Sequence, residues 1–370
     1  MLTKFDELIC HQMATTFDHV YTSDARWTER IVLYGFDISG KLNFVTGLAR
    51  YPNRNVIDAY GMVTIDNKTA HVVRASTELR PETTAGIAVG PFSYEIVEPL
   101  KKVRMTLADN KQGLSFEVDF DGTFPAYEQV PMFFRNRGRI LEEARRFYQV
   151  GRFSGSFKVG GKIYKIDSAK CRGGRDHSWG VRRGVGGGAW PEPWAQPGEI
   201  PQGAFYFMCI FDFGKWAIHT AQREDWDGQI LHFEGWETYP LGSKKQDKEL
   251  KLVSLDHNFQ FRSDVRVAKS GTVSVKAADG TKRKLLIQPK TTFYPGPAGY
   301  DYYRDYASGM WKGPLYIDGF KIDITDPDEL KRISFLTETL CEVKCGNDVG
   351  YGLVEMVNVG KYPKYGYQSY

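Results

Sequence analysis

Residues 114–122 read Leu-Ser-Phe-Glu-Val-Asp-Phe-Asp-Gly, so Leu114, Phe116, Val118 and Phe120 alternate with Ser115, Glu117, Asp119 and Asp121. A period of two puts the apolar side chains on one face of an extended chain and the acids on the other, which is a half-buried strand. Asp121-Gly122 ends it with a hairpin signal. The pattern spreads outward. Residues 31–36, 42–49, 55–65, 71–75 and 103–108 are short stretches rich in β-branched and aromatic residues, separated by turn pairs such as Ser39-Gly40, Asp66-Asn67 and Asp109-Asn110. Further on, 152–159 and 162–166 flank Gly160-Gly161, and 204–212, 215–223 and 229–236 are divided by Phe213-Gly214 and Asp227-Gly228. Another hairpin is expected at Asp279-Gly280.

The spacing predicts few and short helices. Residues 137–148 could form two or three helical turns with Leu141, Ala144 and Tyr148 on one side, a linker between two groups of hairpins. The other candidate is 327–333, opened by Thr325-Asp326-Pro327 with Pro at the first helical position. Residues 184–203, with six glycines, four prolines and two tryptophans, are expected to be a long loop. Two runs of hairpins in 370 residues therefore predict a mainly β protein of two packed domains, barrels or sandwiches, over 1–184 and 185–370.

Composition excludes several classes of function. Lys and Arg number 49 against 45 Asp and Glu, a balance that leaves no basic face for nucleic acid. No apolar run is long enough for a membrane span, and Lys4, Asp6, Glu7 and His11 interrupt any signal peptide, so a cytoplasmic chain is expected. The five cysteines are scattered, and Cys341 and Cys345 lack a second pair or a nearby His. No His-x-His or His-x-x-x-His pair occurs, so no metal site is expected. Gly184-Val185-Gly186-Gly187-Gly188 lacks the Lys-Ser/Thr of a phosphate loop. A homodimer stays open.

The densest reactive stretch is Gly174-Arg175-Asp176-His177-Ser178-Trp179-Gly180-Val181-Arg182-Arg183, and six of eight tryptophans, Trp179, Trp190, Trp194, Trp216, Trp226 and Trp236, lie between it and residue 236. An aromatic-lined cavity beside a few polar groups describes a small-molecule site, although a solvated turn would also carry these charges. Candidates for acid and base are Asp176 with His177, His232 with Glu234 on one face of 229–236, and Glu355 between Leu353 and Val357. Neighbours in a strand point to opposite faces, so only a turn would aim Asp176 and His177 together. His219 reads as structural.

The run Arg175-Asp176-His177-Ser178-Trp179-Gly180, with Gly151-Arg152-Phe153-Ser154-Gly155 before it and Gly350-Tyr351-Gly352-Leu353-Val354-Glu355 near the end, resembles the lipocalin-like AttH and hydroxyneurosporene-synthase (carotenoid hydratase) superfamily. The resemblance implies two lipocalin-like β-domains with a site near their junction. It also implies addition of water to an isolated isoprenoid double bond, as carotenoid and prenyl-isoflavonoid hydratases do, while other relatives guide cyclisations. His177 and Trp179 match positions where the hydratases keep a functional His and Trp. Where those enzymes open the next strand with a Tyr and an Asp, this chain has Gly203-Ala204-Phe205-Tyr206-Phe207, with Phe205 nearest the acid and Asp212 at a distant turn.

The expected function is a cofactor-independent enzyme that hydrates or dehydrates a carbon–carbon double bond in a hydrophobic isoprenoid or aromatic molecule. An isomerase or cyclase of terpenoid- or polyketide-like substrates, a non-catalytic carrier, and a scaffold pinned by Asp176, His177 and Arg182 are the alternatives. His177, Asp176, Glu355, Glu234 and His232 are the catalytic candidates, and Trp179, Tyr206, Trp216, Trp236 and Arg182 the substrate-binding ones. If His177 moves a proton, His177→Gln should abolish turnover and spare stability. If it pins two domains, the same change should cost on the order of 1–3 kcal/mol.

Overall fold

The computed structural model describes residues 2–11, 19–80, 87–136, 138–187 and 202–368. Hairpins join into two antiparallel sheets. The first has fourteen strands, with a main path Leu315–Asp323, Thr69–Glu78, Val56–Ile65, Leu42–Tyr51, Trp27–Asp37, Cys171–Val181, Arg139–Val159, Leu114–Gly122, Lys102–Leu107, Phe92–Glu98 and Ala88–Val89. The second is a closed eight-stranded barrel of Gly203–Asp212, Ala217–Asp225, Ile230–Thr238, Leu250–Phe261, Ala268–Ala277, Lys282–Phe293, Leu336–Cys345 and Asp348–Gly360. The mainly β, two-unit architecture expected from the hairpin spacing is the observed one.

Each strand's alternation serves two different neighbours. In the first sheet, Ile31, Leu33, Phe44, Val63, Phe116, Phe120 and Phe153 meet on one side as that unit's own core. In the barrel, Phe205, Phe207, Cys209 and Phe211 point inward. A third core joins the units: Val32, Tyr34, Phe36, Tyr60 and Tyr148 from the first sheet pack with Met208, Ile210, Ala221, Leu340 and Leu353 from the barrel. Strands buried on both faces explain why so few of them alternate as cleanly as 114–122.

One expectation is corrected. Residues 137–148 do not form a helix: they belong largely to the long strand Arg139–Val159. Its backbone pairs with Met132–Asn136 on one edge and Cys171–Val181 on the other, and those ladders override a weak local helix preference. The strand Leu315–Asp323, late in sequence, pairs with Thr69–Glu78 in the first sheet. A division of the chain at 184/185 remains our proposal, with that strand assigned to the N-terminal unit.

The helix Pro327–Ile333 forms as expected, the only α-helix among the described residues. Asp326 caps it by accepting from the Asp328 and Glu329 amides, and Leu330 and Ile333 bury its inner side. Most of the expected loop at 184–203, with Trp190 and Trp194, lies outside the described residues. No helix among the described residues is long and apolar enough to cross a membrane.

Candidate functional site

The strand Cys171–Val181 carries the reactive motif through the middle of the first sheet, bonded to Trp27–Asp37 on one side and Arg139–Val159 on the other. Being a strand and not a turn, it sends Arg175, His177 and Trp179 to one face and Asp176 to the other. The structure thus separates Asp176 from His177, and a directly coupled acid–imidazole pair does not exist here.

On the His177 face, Arg175 and Glu7 form a fully buried double ion pair, with both guanidinium NH2 groups 2.6 Å from the carboxylate. Gln149 Oε1 accepts from the same guanidinium at 2.9 and 2.8 Å. His177 Nε2 lies 3.0 Å from Glu29 Oε1, and His11 Nδ1 lies 2.7 Å from the same oxygen. Burial pushes the Glu29 carboxyl up, but the hydrogen bonds and charges of the two imidazoles outweigh it and hold it down at about 2. Trp179 stacks on His11 at 3.5 Å and borders an open hollow of about 700 Å³ that Phe5, Cys10, Tyr21 and Met132 also line.

The Asp176 face looks toward the barrel. Arg146, on the strand once read as a helix, donates to the Tyr148 hydroxyl and lies 3.9 Å from Asp176 Oδ2. Tyr34 crosses the motif strand where Gly174 leaves room: a Cβ there would sit 2.7 Å from the Tyr34 hydroxyl. Arg30 covers the Tyr300 ring at 4.9 Å, and Tyr300 shares a 2.9 Å hydrogen bond with Tyr60. Arg182 donates to Ser178 Oγ at 3.1 Å and approaches Glu142 at 3.9 Å.

The barrel answers with acids. Glu338 and Glu355 stand directly opposite each other on paired strands. Burial, then the neighbouring carboxylate, drives Glu338 well above the usual carboxylate range, and burial raises Glu355 as well. Ionising one carboxyl of such a pair makes ionising the other harder, so the two titrate as a unit. Glu234 is pushed up to about 7 by burial, although the Val130 amide donates to it at 2.8 Å. His219 sits between Tyr127 and Tyr148, ring centres 4.5 and 4.7 Å away, and burial holds it neutral.

Buried polar atoms remain unmatched here. Asp176 Oδ1, the Tyr34 and Tyr127 hydroxyls, both His219 nitrogens, Glu234 Oε1, Glu338 Oε2 and Trp236 Nε1 have no hydrogen-bond partner among the described residues. Unmatched buried polar groups are costly, and these gather around Asp176 and the acids of the barrel. Asp176, Arg182, Tyr206, Trp236 and Glu355 keep accessible surface despite lying deep between the two units.

Of the residues singled out from sequence, the structure gathers Asp176, Glu355, Glu234, Tyr206, Trp236 and Arg182 at this interface. His232 lies at its rim beside Phe134, with burial and Arg223 lowering its pKa. His177 and Trp179 fall on the opposite side of the motif strand. Trp216 is elsewhere: it stacks on Phe213 at 4.0 Å in the barrel's own core and donates to Asp348 at 3.1 Å. Phe205, aligned with the hydratases' acid, also points into that core. Sequence reasoning missed Glu338, Arg146, Tyr148 and Tyr34. The signal for Glu338 was present, because a hairpin turning at Gly346-Asn347 sets the register that puts 338 opposite 355.

The chain belongs to a family of unknown function, DUF8625, whose model matches residues 2–368. No curated protein matches it. Among solved structures, an AttH-type protein of Nitrosomonas europaea is 12% identical with a TM-score of 0.52, over 95% of this chain and 98% of that one. CghA in complex with Sch210972 is 10% identical with a TM-score of 0.53, over 91% and 89%. Kievitone hydratase from Nectria haematococca is 13% identical over 96% and 98%, with a TM-score of 0.45. The first two show that the fold is the AttH-like pairing of two lipocalin-type β units, as the resemblance at 175–180 implied.

Proposed function

We propose that this member of the DUF8625 family is an enzyme that uses the Glu338–Glu355 pair as a general acid and base on a small organic molecule held between the two β units, most simply to add or remove water at a carbon–carbon double bond. The observation that carries the reading is the placement of Glu338 and Glu355 opposite each other on paired strands, both pushed up by burial, near the partly accessible rings of Tyr206 and Trp236. A carboxyl kept protonated at neutral pH is what alkene protonation requires. The pair delivers its proton to one alkene carbon, and the cation left on the next carbon faces the phenol rings of Tyr206 and Tyr148. Water adds to that carbon and its surplus proton returns to the carboxylate. One water is gained and the acid is restored, and the reverse sequence is dehydration. If a second double bond captures the cation instead of water, a ring closes, and the new cation loses a proton to the carboxylate, which restores the acid.

The polarity of the site refines the substrate expected from sequence. Arg30, Arg146, Arg182 and a ring of phenols offer donors to oxygen atoms, so the substrate is an oxygenated terpenoid- or polyketide-like molecule and not a bare hydrocarbon. The structural neighbour CghA, solved with the compound Sch210972, supports an organic ligand for this fold. Purified protein incubated with a lipid-soluble extract of its host should convert a compound with a mass change of one water, or none for a cyclisation. Glu355→Gln should lose the conversion by at least about 100-fold. Recovery of a bound, chemically unchanged ligand with no conversion would replace the enzyme by a carrier.

A further inference from the structure

The N-terminal residues 2–11 form a strap on the His177 face, anchored by Glu7 on Arg175 and by the buried Ile9. At its end, His11 Nδ1, Glu29 Oε1 and His177 Nε2 come within 4.8 Å of one another. These atoms belong to the strap, to Trp27–Asp37 and to Cys171–Val181. Two imidazole nitrogens and a carboxylate oxygen are the donor set favoured by zinc and similar divalent ions. Tetrahedral coordination at about 2.0–2.2 Å needs donors roughly 3.3 Å apart. The two separations to Glu29, 2.7 and 3.0 Å, would open by a fraction of an ångström, and the two imidazole nitrogens, within 4.8 Å of each other, would draw together on the same ion.

The surroundings fit a metal better than a plain hydrogen-bonded triad. Asp6 Oδ1 lies 3.5 Å from His11 Nε2, placed to take that N–H when Nδ1 binds an ion. Asp6 is itself held by the Thr3 amide at 2.6 Å and hydroxyl at 2.9 Å. Trp179, stacked within 13° of parallel, fixes the His11 ring plane. Glu29 Oε2 is buried without a partner among the described residues, a second carboxylate oxygen available to an ion. The 700 Å³ hollow borders His11 and leaves room for a further ligand such as water.

We propose that His11, Glu29 and His177 bind one divalent transition-metal ion of the zinc class, which clamps the N-terminal strap onto the first sheet. The three positions are far apart in sequence, so no His-x-His spacing announces them. This site lies on the opposite face of the motif strand from the Glu338–Glu355 pair and stands or falls independently of the proposed reaction.

The test uses the full chain, stripped with chelator and titrated with zinc and with cobalt(II). One ion per chain should bind, saturating zinc should raise Tm by about 4 °C, and cobalt should develop the visible absorption of a low-coordinate site. His11→Ala, a change on the half-buried strap, should weaken zinc binding by at least about 100-fold, and His177→Gln should do the same. Asp6→Asn should weaken it by about 10-fold. No binding at millimolar zinc, or undiminished binding in a His11→Ala protein with wild-type circular dichroism, would overturn the site and leave a hydrogen-bonded triad.

Discussion

The two faces of the strand Cys171–Val181 bury carboxyls equally well and treat them in opposite ways. On the His177 face, Glu29 is held down at about 2 because two imidazoles converge on one of its oxygens. On the Asp176 face, Glu338 rises well above its ordinary value because its closest ionisable neighbour is another carboxyl. Burial penalises the charge in both cases, so the partner decides the sign. One face gives each carboxyl a basic partner, Arg175 for Glu7 and two imidazoles for Glu29. The other leaves several polar atoms unmatched and pushes its carboxyls up, which is how functional sites depart from well-satisfied cores.

The comparison would break first at Glu338. Glu338→Gln should cut the proposed turnover by about 100- to 10,000-fold while leaving the urea midpoint unchanged or higher, since an amide can keep a hydrogen bond to Glu355 and cannot ionise. A loss of stability in step with activity would mean that the pair is structural. On the matched face, Arg175→Ala strands Glu7 in the core and should cost about 3–5 kcal/mol in equilibrium unfolding. A milder loss would mean that water reaches Glu7.

A pH series sharpens the contrast. Glu234 has a folded pKa of about 7 against an ordinary 4.5, so the folded state binds its proton more tightly. Its stabilising effect is complete below pH 4.5 and is lost as pH rises through about 7. Glu234→Gln removes that loss, and at pH 8 the variant should exceed wild type by on the order of 2 kcal/mol. Equal stability curves from pH 4 to 8 would refute the raised value. His177→Gln should now do the reverse of what a proton-transfer role implies, costing about 1–3 kcal/mol while activity per folded molecule persists. The smallest effect belongs to Trp216→Phe, which loses one hydrogen bond worth about 1 kcal/mol. It should leave ligand-induced quenching of tryptophan emission intact, whereas Trp236→Phe should reduce it.

Much of the site was legible. Alternation alone put His232, Glu234 and Trp236 on one face of their strand and set Glu355 among apolar neighbours. The segment around Arg146 was not, because Ile-Leu-Glu-Glu-Ala-Arg-Arg suits a helix as well as a strand, and only pairing with two neighbouring strands settles it. Once it is extended, Arg146 and Tyr148 share a face. Trp216 misled for a related reason: an indole next to turn residues signals packing, but not against which of three cores.

By itself the sequence determined much of the local chemistry: most of the strands, where they turn, and that Asp176 and His177 in any strand must diverge, because side-chain alternation is a property of the extended backbone. The tertiary structure decided which face of each strand met which partner. That depended on how the first sheet was laid against the barrel, a matter of register and long-range packing that no short window of residues records. Glu29 and Glu338 differ in nothing local; one found two imidazoles and the other found Glu355.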